Sequence, residues 1–224
     1  MKKLIFGLFI FILFSCYQDP LFEIRRLARS SEIENKQKAG RDYQLAITTL
    51  FDAYTSYAGL NRDLGYKLMI NQNYKVAIKH LEISKDVKNN DSTVYFWIAT
   101  CYANLYKIEK KIDYLDQAEK NYKISLNIIP NNKEVNYSYA QFLIYLKEEY
   151  NKAVEVLNKC IFELNADEPN GYFLLGRAYY MLGEYAKAYE TYNTIYKFKK
   201  ILTKEQSSKL DEFIQITRSK MQNE

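Results

Sequence analysis

Apolar residues recur every three or four positions through most of this chain, which is the spacing of a buried helical face. The pattern is clearest in residues 169–202, where it predicts two helices. The apolar face of the first helix consists of Tyr172, Leu175, Gly176 and Tyr179. The pattern breaks at Gly183 and resumes in a second helix, whose face consists of Tyr185, Ala188, Tyr192 and Ile195. The segment is therefore predicted to be a helical hairpin.

Two small residues explain how this predicted hairpin closes. Gly176 and Ala188 face the partner helix, so the two helix axes can approach each other closely. Tyr179 and Tyr192 fill the space above and below these small residues. One hairpin alone leaves an apolar side uncovered, so it requires a neighbour of the same shape.

Three earlier segments repeat the pattern, each with a small residue in both helices. They are residues 58–91 with Gly65 and Ala77, residues 92–133 with Ala99 and Ala118, and residues 134–168 with Ala140 and Ala153. From the small residue of each second helix to that of the next first helix, the spacing is 22, 22 and 23 residues. The spacing between the small residues of successive first helices varies more, and is 34, 41 and 36 residues. The irregularity is therefore expected within the hairpins, where residues 106–115 lengthen both helices and the third segment has one extra residue in its turn.

The fourth segment resembles the tetratricopeptide repeat, a helix-turn-helix unit with aromatic-x2-Leu-Gly-x2-Tyr in its first helix and Ala-x3-aromatic in its second. The resemblance implies an all-α fold in which stacked helix-turn-helix units form a right-handed superhelix. Residues 41–57 are predicted to be the second helix of a degenerate first repeat, and Ser92 is predicted to cap a helix. Residues 203–224 are predicted to be a C-terminal capping helix that begins with a capping box, Thr203 to Gln206. An unrelated helical bundle is the alternative.

Composition and charge agree with an all-α protein. Only 7 Gly and 3 Pro occur in 224 residues, which is too few for an all-β protein rich in turns. The net charge of +5 comes from lysines that are dispersed and balanced by acidic residues. That distribution predicts no nucleic-acid partner.

The sequence offers few groups for catalysis or metal binding. Cys101 and Cys160 lie where the repeat requires small residues and are predicted to be buried thiols, with a disulfide between them as the alternative. His80, the single histidine of the chain, is predicted to be a solvated helix residue. No metal cluster, nucleophile paired with a base or glycine-rich phosphate loop can be assembled. The sequence therefore predicts a non-enzymatic protein, with no catalytic residues, metal, cofactor or small-molecule substrate.

The first residues have the pattern of an export signal. Lys2 and Lys3 precede an uninterrupted apolar run, residues 4–14, which is too short to span a bilayer as a helix but fits a secretory signal. The four residues ending in Cys16 resemble a bacterial lipoprotein signal. The resemblance implies that residues 1–15 are removed, that Cys16 receives acyl chains such as palmitate, and that the protein is tethered to an envelope membrane. It is expected to face the periplasm, with the cell surface as the alternative. Plain cleavage or an uncleaved anchor is the alternative, and residues 16–40 are predicted to hold the tether and an N-terminal helix.

In proteins with this repeat, the first helices line a concave groove that usually binds an extended peptide or a helix of a partner protein. The groove positions of the family correspond here to Arg62, Tyr66, Met69, Phe96, Thr100, Asn104, Tyr137, Gln141, Ile144, Tyr145, Phe173, Arg177 and Tyr180. The resemblance predicts that peptide side chains stack on the aromatic residues and that Arg62, Gln141 and Arg177 meet polar groups. With 22 tyrosines in the chain, an aromatic groove that only reflects composition is the alternative.

The same positions argue against the carboxylate clamp known in this family. The clamp requires Lys and Asn in adjacent repeats, where this sequence has Arg62 and Tyr66, then Phe96 and Thr100, so recognition of an acidic C-terminus in the manner of a chaperone adaptor is not expected. The resemblance predicts a protein-interaction scaffold that binds a peptide or partner protein at the membrane. A fixed accessory subunit of a membrane-protein or pilus assembly machine is the alternative.

Overall fold

A computed structural model describes residues 21–164 and 168–222, and α-, π- and 3-10 helices are the only regular secondary structure in these residues. The α-helices are α1 (Phe22–Ala28), α2 (Ile33–Ile70), α3 (Tyr74–Val87), α4 (Ser92–Glu109), α5 (Ile112–Ile128), α6 (Lys133–Phe142), α7 (Tyr150–Asn158), α8 (Pro169–Met181), α9 (Tyr185–Thr194) and α10 (Lys204–Met221). The predicted all-α class is confirmed. The predicted signal and its Cys16 lie outside the described residues.

Contacts divide the described residues into two compact units, one that ends at Tyr57 and one that begins at Ala58. The boundary coincides with the predicted start of the first complete repeat. The sequence predicted that one helix ends there and another begins, but α2 continues through this point without a turn. The helix propagates because it contains no proline and none of its residues has a positive φ.

The described part of the first unit leaves many apolar side chains uncovered. None of the residues of α1 is buried. The exposed large apolar residues of α2 in this unit are Ile33, Leu45, Ile47, Leu50, Phe51, Tyr54 and Tyr57. Exposed apolar surface of this extent is typical of a surface that binds a partner.

In the second unit, each hairpin turn contains one residue with a left-handed backbone. These residues are Gln72, Lys110, Glu148 and Gly183, with φ between 56° and 78°. Only Gly183 adopts this conformation without a steric cost, because it has no Cβ. The four turns therefore share one left-handed residue although their sequences differ.

The helices of each hairpin approach closely at the predicted small residues. A Cβ atom added to Gly176 would lie 2.5 Å from Cε1 of Tyr192, and one added to Gly65 would lie 2.6 Å from Cγ of Leu81. Ala188, which faces the same crossing as Gly176, is fully buried. The predicted role of glycine at the crossings is confirmed.

The two extra residues of the third repeat lie in helices, whereas the sequence predicted an extra residue in its turn. A π-helical turn, Leu143–Lys147, continues α6, and a second one, Lys159–Glu163, continues α7. A π-helical turn holds one more residue than the α-helical turn that it replaces, so it absorbs an insertion without opening the hairpin.

The second repeat confirms one prediction and corrects another. As expected, both of its helices are long, because α4 continues to Glu109 and α5 begins at Ile112. Ser92 does not cap α4; the carboxylate of Asp91 does so and accepts a hydrogen bond from the backbone N–H of Thr93 at 3.0 Å. Ser92 is buried instead, with its hydroxyl 2.9 Å from that of Ser125 at the end of α5. Ser92 thus joins the two open ends of the hairpin.

The thiols behave as predicted and the histidine does not. Cys101 and Cys160 are both free and buried, and burial raises the pKa of Cys101 to about 12. His80 is half-buried, and its Nδ1 lies 2.9 Å from Oδ1 of the buried Asn61, so it is not merely solvated. The capping box at the start of α10 is present as predicted, with both reciprocal hydrogen bonds between Thr203 and Gln206.

Glu119 connects the second and third repeats. Its carboxylate accepts hydrogen bonds from Nζ of Lys123 on the same helix at 2.6 Å and from Nζ of Lys147 in the π-helical turn at 3.0 Å. Burial alone would raise the pKa of Glu119, but the two lysines outweigh it and lower this pKa from 4.5 to about 2.

Because the pKa of Glu119 is lower in the folded protein, the stability it contributes should be complete above about pH 4.5 and lost as pH falls towards 2. Replacing Glu119 with glutamine should lower the free energy of unfolding at pH 7 by about 1.5 kcal/mol. Urea unfolding at pH 7, 4 and 3 would measure both effects. A difference between the two proteins that does not shrink on acidification would contradict the assignment.

Candidate functional site

One cavity lies between α4 and α6, the first helices of the second and third repeats. Its volume is about 250 Å³. Its aromatic lining residues are Phe96, Tyr122, Phe142 and Tyr145, and its polar ones are Thr100, Asn104, Lys107, Ser138 and Gln141. Burial raises the pKa of the Tyr122 phenol to about 12, although a hydrogen bond with Thr100 opposes this shift. Tyr122 is therefore neutral at physiological pH.

A second cavity of about 230 Å³ lies between α6, α8 and α10. Its lining residues are Gln141, Tyr145, Asn170, Phe173, Leu174, Arg177, Gln206, Lys209 and Phe213. Gln141 and Tyr145 line both cavities, so the two are neighbours along one face of the second unit. The two cavities together are called the groove below.

Arg177 is the charged residue held most closely by aromatic rings in the groove. Its guanidinium carbon lies 5.3 Å from the centroid of the Tyr145 ring, which is the geometry of a cation–π contact. Its Nε is buried, and none of the described residues accepts a hydrogen bond from it. Burial raises the pKa of the neighbouring Tyr192 phenol, and the charge of Arg177 opposes that shift.

The π-helical turn positions Tyr145 between the two cavities. The side chain of Tyr145 is 52% exposed, while its neighbour Ile144, which the sequence also assigned to the groove, is 3% exposed and belongs to the core. Tyr145 faces the groove because it lies four residues after Gln141, which also lines both cavities.

The structure brings together seven of the residues that the sequence assigned to the groove. They are Phe96, Thr100, Asn104, Gln141, Tyr145, Phe173 and Arg177. Phe96 differs from the others because it is only 9% exposed and belongs mainly to the core. Thr100 and Asn104 are fixed by their own helix, since each donates a hydrogen bond to the carbonyl four residues earlier.

Besides Ile144, five assigned residues do not line either cavity. Arg62 pairs with Asp91 at 3.6 Å, and Tyr66 packs against Trp97 with 4.6 Å between ring centroids. Met69 is buried in a separate core cluster between the first and second repeats. The ring of Tyr180 packs edge-on against Tyr185.

Tyr137 is the fifth of these residues, and it faces the next repeat. A Cβ atom on Gly171 would lie 2.8 Å from its hydroxyl. A hydrogen bond with Cys160 and burial raise the pKa of Tyr137, burial having the larger effect. Its ring therefore packs at a junction between repeats and does not contribute to either cavity.

Sequence reasoning missed the contribution of α10 to the groove. Gln206, Lys209 and Phe213 form one wall of the second cavity, although this helix was expected only to solvate the end of the array. The signal was present in the junction spacing, because residue 210 lies 22 residues after Ala188. Leu210 is fully buried at the position of a first-helix small residue, so α10 packs as the first helix of a further repeat would.

The groove provides aromatic rings for stacking and polar groups for hydrogen bonding. Within residues 21–164 and 168–222, no three His, Cys, Asp or Glu side chains are grouped as metal ligands would be. The lining combines aromatic rings with amides, hydroxyls and cations. Such a surface suits the binding of an extended peptide.

Comparisons with known proteins identify the fold. No family model matches the chain. The TPR repeat-containing protein MJ1428 of Methanocaldococcus jannaschii is 25% identical over 142 residues, which are 63% of this chain and 23% of that protein. This chain therefore spans about a quarter of the length of that relative.

Solved structures resemble the chain more completely. YrrB, a TPR protein with an unusual peptide-binding site, superposes with a TM-score of 0.60 at 15% identity, over 80% of this chain and 84% of its own. The fold is a tetratricopeptide-repeat fold. MamA is similar with a TM-score of 0.61 at 18% identity, over 74% of this chain and 82% of its own. PilF of Pseudomonas aeruginosa is similar with a TM-score of 0.60 at 15% identity, over 76% of this chain and 72% of its own. Proteins with this repeat are generally protein-interaction scaffolds without enzymatic activity.

Proposed function

We propose that this protein is a non-enzymatic scaffold that binds an extended peptide, or an extended segment of a partner protein, in the groove. The proposal rests on two neighbouring cavities that share one wall, which Gln141 and Tyr145 form. Their aromatic rings can stack on peptide side chains while the amides hydrogen-bond the peptide backbone. The peptide-binding site of YrrB, a structural neighbour, supports the same class of function.

Partner recovery from membranes tests this proposal. A variant with Gln141→Ala and Tyr145→Ala should lose its partner, because both side chains belong to the wall that the two cavities share. Both side chains are exposed, so their removal should leave the core intact. The matched control carries Gln117→Ala and Ile112→Ala, two exposed residues of α5 that line neither cavity. Quantitative mass spectrometry after crosslinking would compare the variants. Equal recovery of the same partner by both would overturn the groove assignment.

The proposed scaffold is tethered to an envelope membrane by lipid on Cys16, facing the periplasm. The support is the basic start, the apolar run of residues 4–14 and the cysteine that follows it. Two or more acyl chains would hold the protein firmly, since a single chain gives only marginal membrane binding. No helix in the described parts of the chain, residues 21–164 and 168–222, is both long and apolar enough to cross a membrane.

Metabolic labelling tests the tether. Wild-type protein should incorporate labelled palmitate and sediment with membranes, while Cys16→Ala should do neither. Cys101→Ala is the matched control, because this cysteine is buried and its removal should leave the label unchanged. Labelling that survives Cys16→Ala would contradict lipidation at this residue.

A fixed accessory subunit of a membrane-protein or pilus assembly machine is the second candidate. The uncovered apolar residues of α2 in the first unit favour it, because a permanent partner would keep such a surface from water. A fixed subunit should co-purify in a constant ratio with an integral membrane protein even when Gln141 and Tyr145 are both alanine. Loss of that partner in the double variant would favour the groove scaffold instead.

A further inference from the structure

We infer that the groove selects peptides that carry acidic side chains, and that Arg177 is the main contact for a carboxylate. This inference rests on the proposed peptide-binding function and specifies its ligand. The linings of the two cavities include three cationic side chains, Lys107, Arg177 and Lys209, and no Asp or Glu. The whole chain has 27 acidic residues, so their absence from both linings makes the groove locally positive.

Arg177 is prepared for a carboxylate that the described residues do not provide. Within residues 21–164 and 168–222, no salt bridge joins its guanidinium to an Asp or Glu, and the cation–π contact with Tyr145 fixes its orientation. A guanidinium can bind a carboxylate through two parallel hydrogen bonds, so a ligand carboxylate in the second cavity, which Arg177 lines, would pair its charge through the two Nη groups. The Nε atom is closed to solvent and is not needed for this contact.

The other two cations are placed to extend this selectivity along the peptide. Lys107 lines the first cavity, and Lys209 lines the second on the opposite helix from Arg177. Lys209 is paired at 2.6 Å with Glu205, but both side chains are well exposed, which makes the pair weak and exchangeable. A terminal carboxylate can engage only one of these separate cations. Their distribution therefore favours acidic side chains within the peptide.

This arrangement differs from the carboxylate clamp, which the sequence does not lead us to expect. The clamp positions of the first and second repeats hold Arg62, which pairs with Asp91, and Phe96, which belongs mainly to the core. The carboxylate contact proposed here lies two repeats further along the chain, between α6, α8 and α10. Phe173 and Phe213, whose ring centroids are 6.3 Å apart, form an apolar wall beside it. A large apolar residue next to the acidic one would suit this wall.

Selection from a peptide library tests the inference and does not require the natural partner to be identified. Full-length protein, purified in detergent, is used to select from displayed random dodecapeptides that are fused at their C-termini and so have no free carboxylate. A second library displays free C-termini. We expect the peptides selected from the fused library to be enriched about threefold in Asp and Glu over the starting library. Arg177→Gln should abolish most of this enrichment, and Lys209→Gln should reduce it.

Two further measurements separate charge recognition from a general defect. Arg218→Gln is the matched control, because Arg218 is exposed on α10, lines neither cavity and carries the same charge; it should leave the enrichment unchanged. For one selected peptide, changing its acidic residue to the amide should weaken binding about tenfold to the wild type and have little effect with Arg177→Gln.

Each remaining outcome overturns one specific statement. Recovery of binding peptides from the free-terminus library alone would show terminal-carboxylate recognition and contradict the choice of acidic side chains. The selected peptides could show no acidic enrichment and yet lose binding when Gln141 and Tyr145 are replaced with alanine. That result would overturn the inference, while the proposed peptide-binding function would stand. Failure of both libraries to yield any peptide that needs these two side chains would overturn the proposed function itself.

Discussion

Replacing Gly176 with leucine is expected to lower the free energy of unfolding by about 1 to 3 kcal/mol. Even a Cβ atom at this position would lie 2.5 to 2.8 Å from three ring atoms of Tyr192, which is only 3% exposed. The ring cannot move aside freely, because it also packs 5.5 Å from the Phe213 ring, centroid to centroid. The fourth hairpin must therefore open or the ring must shift, and either response would disturb the docking of α10.

Gly59 provides the matched control for this substitution. It lies in the helix α2, and a Cβ atom there would have no other atom within 4 Å. Leucine at Gly59 should therefore leave stability unchanged or raise it by up to about 1 kcal/mol through its better helix propensity. Urea unfolding followed by circular dichroism would compare the two variants. Equal stability of the Gly176 and Gly59 variants would mean that the hairpin crossing is not at Gly176.

Replacing Phe96 with alanine is expected to cost about 3 to 5 kcal/mol of folding stability. Phe96 lines the first cavity, but it is only 9% exposed, and its ring packs 6.2 Å from that of Tyr122. Tyr122 in turn packs against Tyr139 and Phe142, so the aromatic cluster joins the second and third repeats. Removing one ring should leave a cavity that this close-packed cluster cannot fill.

Tyr145→Ala is the control for Phe96, because both rings line the first cavity and only Tyr145 is largely exposed. Its loss should change the free energy of unfolding by no more than about 0.5 kcal/mol. Thermal unfolding and urea midpoints would compare the variants. A small effect at Phe96 would show that its ring faces the groove more than the core. If the expected loss is found, Phe96 is unsuitable as a probe of binding, whereas Gln141, Tyr145 and Arg177 are suitable.

The repeats could be predicted from the sequence because their packing depends on single residues at fixed spacing. Gly65, Gly176 and the buried alanines mark the crossings, and the near-constant junctions indicate how one repeat follows the next. The π-helical turns could not be predicted, because an inserted residue fits either a longer turn or a widened helix and the sequence shows only the count. The continuity of α2 was missed for a related reason: the repeat pattern predicts helices but not the turn between them.

The groove could be predicted only in part, because position in a repeat does not determine which neighbour a side chain meets. Phe173 and Arg177 face the groove as expected, while Tyr137 turns towards Gly171, where the absence of a side chain leaves space for its ring. Tyr180 packs on Tyr185 across its own turn. Phe213 and Lys209 were missed because α10 lacks the aromatic and glycine signature of the repeat. Only the spacing of 22 residues between Ala188 and residue 210 predicts that α10 packs as a repeat helix and brings these two side chains to the groove.

Photo-crosslinking in intact cells tests most directly whether the groove is the partner-binding surface. A photoreactive phenylalanine analogue would replace Gln141, in the wall shared by the two cavities, or Gln117, an exposed residue of α5 outside them. If the groove binds the partner, irradiation should give a discrete covalent adduct from position 141 and none from position 117. An adduct from position 117 alone, or equal adducts from both positions, would contradict groove binding.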